Sequence, residues 1–217
     1  MYHLIKKDFL MQKKALKLSI LLMLFFSITL VHNLGTAGLS VGIIAITYQL
    51  VLGTSALEDK DNSDMILVSL PIKKNKIVLS KYVSIYIFAA YAILVYFIIA
   101  LMANLFNLPL EVPITGMEIL IALLAVTLFF SISFPLVFKY GYLKSKMVNL
   151  ILFFIVVFGG TPIISNIMND EKLSQSVIEF IHQRSDTHLT ILILIPLVLI
   201  LVISYLLSLT FYKNREF

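Results

Sequence analysis

The sequence predicts an all-α, polytopic membrane protein: six transmembrane helices, an N-terminal amphipathic helix lying on the membrane surface, and a short helix in a loop facing the cytoplasm. Three observations carry this. Six apolar stretches approach the roughly 20 residues that a helix rising about 1.5 Å per residue needs to cross about 30 Å of hydrocarbon. The basic residues between them fall almost entirely on one side. Finally, 60% of the residues are hydrophobic and 13% charged, with a mean hydropathy of +1.00, far from the balance of a water-soluble domain.

The composition excludes a soluble enzyme, and spans with their connectors use up the 217 residues, so one membrane domain over 1–217 is expected. The formal charge of +5 suits nucleic acid as well as a membrane surface, so its distribution decides. Expected spans are residues 16–32, 35–57, 83–106, 114–138, 148–168 and 189–212. If they alternate, Lys6, Lys7, Lys13, Lys14, Lys17, Lys60, Lys73, Lys74, Lys76, Lys81, Lys139, Lys144, Lys146, Lys213 and Arg215 share one side. Only Lys172 and Arg184 face the other. Short loops rich in Lys and Arg stay inside the cell, which puts both termini in the cytoplasm; an odd number of spans would destroy the segregation.

Residues 1–15 form the interfacial helix, and its pattern runs on to Lys17. At about 100° per residue Lys6, Lys7, Lys13, Lys14 and Lys17 lie on one arc and Leu4, Ile5, Phe9, Met11 and Leu16 on the other. Leu10 sits among the lysines, and Asp8 and Gln12 intrude on the apolar arc. The alternative is a basic flank that only sets topology. The first span follows as an uncleaved helix rather than a signal peptide, because its charged lead is long and its removal would spoil the even count. In the second span Gly38 and Gly42 allow close approach of another helix, either within the chain or across a dimer seam.

Residues 58–82 form the longest connector on the lysine-rich side, acidic at its start and basic at its end. Glu58, Asp59, Asp61 and Asp64 come first, with Asn62 or Ser63 as a helix cap. Met65, Ile66, Leu67, Val68 and Leu70 make an apolar run that Pro71 stops. Asn75 is expected to cap the next helix, which carries Ile77, Val78 and Leu79 into the third span. A bundle gains little from an apolar patch held at its surface. Either a docking protein buries it, or it dips into lipid headgroups.

On the opposite side residues 169–188 form the sizeable external loop, with Leu173, Val177, Ile178 and Ile181 at helical spacing, as in a small lid. Gly159, Gly160 and Pro162 break the fifth span near its outer end, as a structural kink or an external gate.

Familiar chemistry is missing. There is no phosphate loop of the GxxxxGK[ST] type, so ATP hydrolysis is not expected, and His3, His32, His182 and His188 make no metal-ligand pattern. Cysteine is absent, which removes disulfide and thiol chemistry. No Asp, Glu, Lys or Arg falls in the centre of a span, where ion-driven carriers and intramembrane proteases place theirs. Thr47, Tyr48 and Gln49 in the second span are the candidates for lining a conduit; helix packing is the plainer role for mild polar groups of this kind.

Glu58-Asp59-Lys60-Asp61, a short apolar segment, and then Ser69-Leu70-Pro71-Ile72-Lys73-Lys74-Asn75-Lys76-Ile77-Val78-Leu79-Ser80-Lys81-Tyr82 resemble the acidic start, Ser-Leu-Pro turn, basic pair and Ile-Val-x-x-Lys-Tyr run of the permease subunit of type-2 ATP-binding-cassette exporters. The layout of six spans behind a basic helix is similar over the whole length. The compact form looks most like the small permeases of Gram-positive bacteria that export phenol-soluble modulins or act in bacteriocin immunity. Basic residues around the turn often include Arg in that family, whereas here they are Lys73 and Lys74.

The resemblance implies a bacterial cell-membrane protein that is not itself an enzyme, with no cofactor in this chain and with ATP and Mg on a partner ATPase. That ATPase would bind the coupling segment through Glu58, Asp61, Asp64, Met65, Ile66, Leu67, Leu70 and Pro71. Two permeases, as homodimer or heterodimer, would form the path, with the first, second and fifth spans near their interface. An amphipathic, antimicrobial-type peptide or a lipid-like molecule suits an uncharged, apolar conduit. The alternative is a membrane immunity or scaffold protein that binds such a peptide without moving it.

Overall fold

A computed structural model describes residues 1–34, 36–61, 63, 67, 69, 72–106, 116–159 and 186–215. Seven α-helices and no strand occur among them: α1 Tyr2–Met11, α2 Lys13–Leu34, α3 Thr36–Lys60, α4 Lys74–Leu105, α5 Gly116–Tyr140, α6 Tyr142–Phe154 and α7 Asp186–Asn214. α6 continues into one π-type turn over Ile155–Gly159. Four helices, in α3, α4, α5 and α7, are long and apolar enough within the described residues to cross a membrane. α2 covers the first expected span as one continuous helix. The fifth is helical from Tyr142 to Gly159, and residues 160–168 lie outside the described residues. So do Gly160, Pro162, Lys172 and Arg184 and most of the expected external loop; α7 begins at Asp186, so residues 186–188 open the last helix instead of belonging to that loop.

α3 is the axis of the bundle. It packs against α1, α2, α4, α5 and α6. Two thirds (67%) of its apolar stretch is buried inside the chain, against 11% for that of α7 from Leu194 on, most of whose side chains turn outward. The seam between α2 and α3 passes Gly42, where a Cβ would stand at ordinary contact distance from Met23 Sδ (3.7 Å) and Phe26 Cβ (3.8 Å), so the seam has room for a methyl group there. α4, at 32 residues and therefore about 48 Å long, exceeds the hydrocarbon thickness and can carry its charged first turns beyond it.

At Pro135 a hydroxyl makes the hydrogen bond that the proline cannot. Pro135 inside α5 has no N–H to offer the carbonyl of Ser131, four residues earlier. Ser204 of α7 donates its hydroxyl to that carbonyl at 2.6 Å and shares a second hydrogen bond of 2.6 Å with the Tyr82 hydroxyl of α4. Ser208 reaches the same tyrosine at 2.9 Å. Three helices are thereby joined where a proline would otherwise strand a carbonyl in an apolar medium. α5 and α6 are joined in the same manner, Ser133 donating to buried Asn149 Oδ1 at 2.8 Å.

Two expectations need correcting. The N-terminal helix stops at Met11 instead of running through residue 15, because Gln12 leaves helical geometry (φ −92°, ψ 10°) and α2 starts afresh at Lys13. Gln12 lies over Gly53 of α3, where a Cβ would sit 2.5 Å from its amide nitrogen, so the glycine makes room for the bend. Asn75 does not cap α4 either. The helix begins two residues earlier, at Lys74, with extended Lys73 at the cap position and no side-chain capping bond.

Candidate functional site

The sequence puts two adjacent carboxylates, Glu58 and Asp59, at the end of α3, where the connector to α4 begins. On a helix, neighbours point about 100° apart, so they must find different partners. Glu58 turns inward, towards α1 and α4. Its Oε1 accepts a hydrogen bond from Lys81 Nζ at 2.7 Å and is also paired with Lys7 Nζ. Lys81 Nζ in turn donates to Asp8 Oδ1 at 3.0 Å, and Ser84 Oγ to Asp8 Oδ2 at 3.0 Å. Lys7 lies 3.7 Å from the same Asp8 oxygen.

The result is a knot of two cations and two carboxylates contributed by three helices. The side chains of Asp8, Glu58 and Lys81 are buried, and only Lys7, 28% exposed, reaches the surface. Charges so placed are tolerated because every one is paired; removing a single partner leaves an uncompensated buried ion. Beside Asp8 on α1, Phe9 stacks on Phe88 of α4 with ring centres 5.9 Å apart and lies edge-on to Tyr91 at 6.3 Å. The buried face of α1 is therefore Leu4 and Asp8, prolonged by Gln12, not a purely apolar stripe.

Asp59 faces the other way. Its Oδ2 accepts the backbone N–H of Leu143 in the first turn of α6 at 2.9 Å, and its Oδ1 lies 3.7 Å from the Arg215 guanidinium. Gly141, between α5 and α6, has φ +80°, and a Cβ there would meet Arg215 Nη2 at 3.0 Å and Asp59 Oδ2 at 3.3 Å. Only glycine satisfies both the left-handed backbone and the crowding. At the far end of the connector Lys74 Nζ donates to the Lys213 carbonyl at 3.2 Å, so α7's last turn is tied to α4's first.

Of the expected partner-binding residues, Glu58 is buried in the knot and Asp61 is exposed in the turn after α3. Leu67 is buried and lines a water-sized cavity of about 30 Å³ with Ser55, Ile77, Lys81 and Tyr142. Burial pushes the Tyr142 phenol above its ordinary range, so it stays neutral there. Asp64, Met65, Ile66, Leu70 and Pro71 lie outside the described residues. The conduit candidates spread over α3: Thr47 is buried and donates to the Ile43 carbonyl at 2.7 Å, Tyr48 packs against Phe153 and Phe129 at 4.5 and 5.4 Å, and Gln49 is half-buried.

Sequence reasoning missed Lys81 and Asp8 as a pair. The signal was there in part, since an aspartate on the apolar arc of a basic helix requires a buried cation. Among the described residues no cluster of metal-ligating side chains occurs.

No curated protein and no solved structure matches this chain. The family model of the ABC-2 family transporter proteins matches residues 3–213, nearly the whole length. The chain thus belongs to the ABC-2 transporter family, as a multi-pass membrane component whose ATPase is carried by a separate subunit.

Proposed function

We propose that this chain is the transmembrane subunit of an ATP-driven exporter in a bacterial cell membrane, with six spans and both termini in the cytoplasm. With a second permease, as homodimer or heterodimer, it forms the path for an amphipathic peptide or lipid-like molecule. The ATPase, holding ATP and Mg, docks on the connector between α3 and α4. This extends the family membership to a substrate class, a direction and a docking segment, and the likeness to modulin-exporting and bacteriocin-immunity permeases supports the substrate class.

The observation that carries the reading is the knot at the base of that connector. A load applied to residues 61–73 meets Glu58 on one side and Lys81 on the other; Glu58 holds Lys7 of α1 and Lys81 holds Asp8. Movement of the connector would then be passed to α1 and, through its junction at Gln12, to α2. In this scheme Glu58 acts inside the chain, while Asp61, Asp64, Met65, Ile66 and Leu70 are offered to the ATPase and Leu67 anchors the segment. Thr47, Tyr48 and Gln49 are then conduit-side residues of α3.

The test is ATP hydrolysis by the complex purified through a tag on this chain. Ile66→Asp, which leaves Leu67 in place, should abolish the co-purifying hydrolysis while the chain still inserts at its normal level. Retention of full hydrolysis in that variant, or uphill movement of an amphipathic peptide into liposomes by the isolated chain without ATP, would refute the proposal.

A further inference from the structure

At the lysine-rich end of the bundle an open groove of about 620 Å³ lies between the end of α5, the start of α6 and the C-terminal residues. That volume falls within the roughly 300–1,000 Å³ of small-molecule sites. Lys139, Lys144 and Arg215 supply three positive charges to its lining and Asp59 one negative charge, a net of two positive. Asp59 is already engaged by Arg215 and the Leu143 amide. Lys139 and Lys144 form no ion pair among the described residues. Lys139 instead rests over the rings of Tyr140 and Phe211, 4.9 and 5.1 Å from their centres, which holds its ammonium at the rim. Leu143, which lines the groove, begins a stripe of exposed apolar residues down α6: Leu143, Met147, Ile151 and Phe154, at spacings that keep them on one face.

We infer that this groove binds the phosphate headgroup of an anionic phospholipid, whose acyl chain lies along the Leu143–Met147–Ile151 stripe. Cationic pockets between membrane helices bind such headgroups by charge, and Lys139 and Lys144 are the groove's cations without an ion pair among the described residues. The continuous apolar stripe is what selects a lipid over a free phosphate ion. The site stands on the membrane embedding of the chain and is independent of any transport activity.

The chain contains no tryptophan, so Met147→Trp places a single reporter on the stripe. In nanodiscs, dibrominated phosphatidylglycerol should quench it at about 25-fold lower mole fraction than dibrominated phosphatidylcholine, about fivefold from each of the two lysines. Adding Lys139→Gln and Lys144→Gln should weaken that preference roughly fivefold for each lysine removed, the factor equivalent to about 1 kcal/mol per basic residue at an anionic surface. Lys6→Gln with Lys13→Gln, equally basic positions elsewhere on the same side, should leave it unchanged. Equal quenching by the two lipids, equal loss in the Lys6 and Lys13 variant, or displacement by millimolar inorganic phosphate alone would each overturn the assignment.

Discussion

Glu58 and Asp59 are neighbours in sequence and opposites in role. Glu58 is enclosed with Lys81, Asp8 and Lys7, its side chain only 5% exposed. Asp59 sits at a shallower site, its side chain 16% exposed and that of Arg215 22% exposed, at an ion-pair distance of 3.7 Å. Both bind the end of α3 to other helices, but a buried ion resists separation far more than one that solvent can rescue. The connector from α3 to α4 is therefore held stiffly on its α1 side and loosely on its α6 side. Under the proposed function, force entering there would be directed towards the N-terminal helix.

The stiff side should give the largest loss. Lys81→Met leaves two buried carboxylates to share the single cation of Lys7 and is expected to cost about 3–5 kcal/mol of stability, read as a fall in the detergent unfolding midpoint. Asp8→Leu and Glu58→Leu added to it leave no buried charge but Lys7, which can turn to water; this triple variant should regain most of the lost midpoint. If it stays as unstable as Lys81→Met, packing and not charge holds the junction.

Gly141→Ala is intermediate. It forces a side chain into a left-handed backbone and towards Arg215 and Asp59, for an expected loss of about 1–2 kcal/mol by the same unfolding measurement. Arg215→Gln, which removes the looser pair, should cost about 1 kcal/mol or less, and that small effect should shrink further in high salt. An Arg215 effect as large as that of Lys81 would erase the contrast between the two sides.

Hydropathy and lysine distribution made the helices legible, because a span must satisfy its backbone internally and so leaves an unbroken apolar signature. The knot was only half legible. Asp8 and Gln12 stood out as intruders on an apolar arc, but Lys81 lies 73 residues from Asp8 and no local pattern joins them. Asp59 read as one acid in an acidic run, while its work at the Leu143 amide depends on a turn around Gly141 that brings α6 under α3. Ser204 likewise read as a packing hydroxyl; that it completes the gap behind Pro135 follows only when α5 and α7 are side by side. Pairings across the bundle are set by tertiary register, which one-dimensional periodicity does not contain.

Transmission from the connector to α1 is most directly tested by a distance. The chain has no cysteine, so Lys6→Cys on α1 and Lys139→Cys on α5, both exposed, take spin labels without background. In the complex with its ATPase, trapping with ATP, Mg and vanadate should shift the label-to-label distance by a few ångströms, on the order of known helix movements in switching proteins. The shift should vanish in the refolded Asp8→Leu, Glu58→Leu, Lys81→Met background. An unchanged shift in that background would contradict the role given to the buried charges.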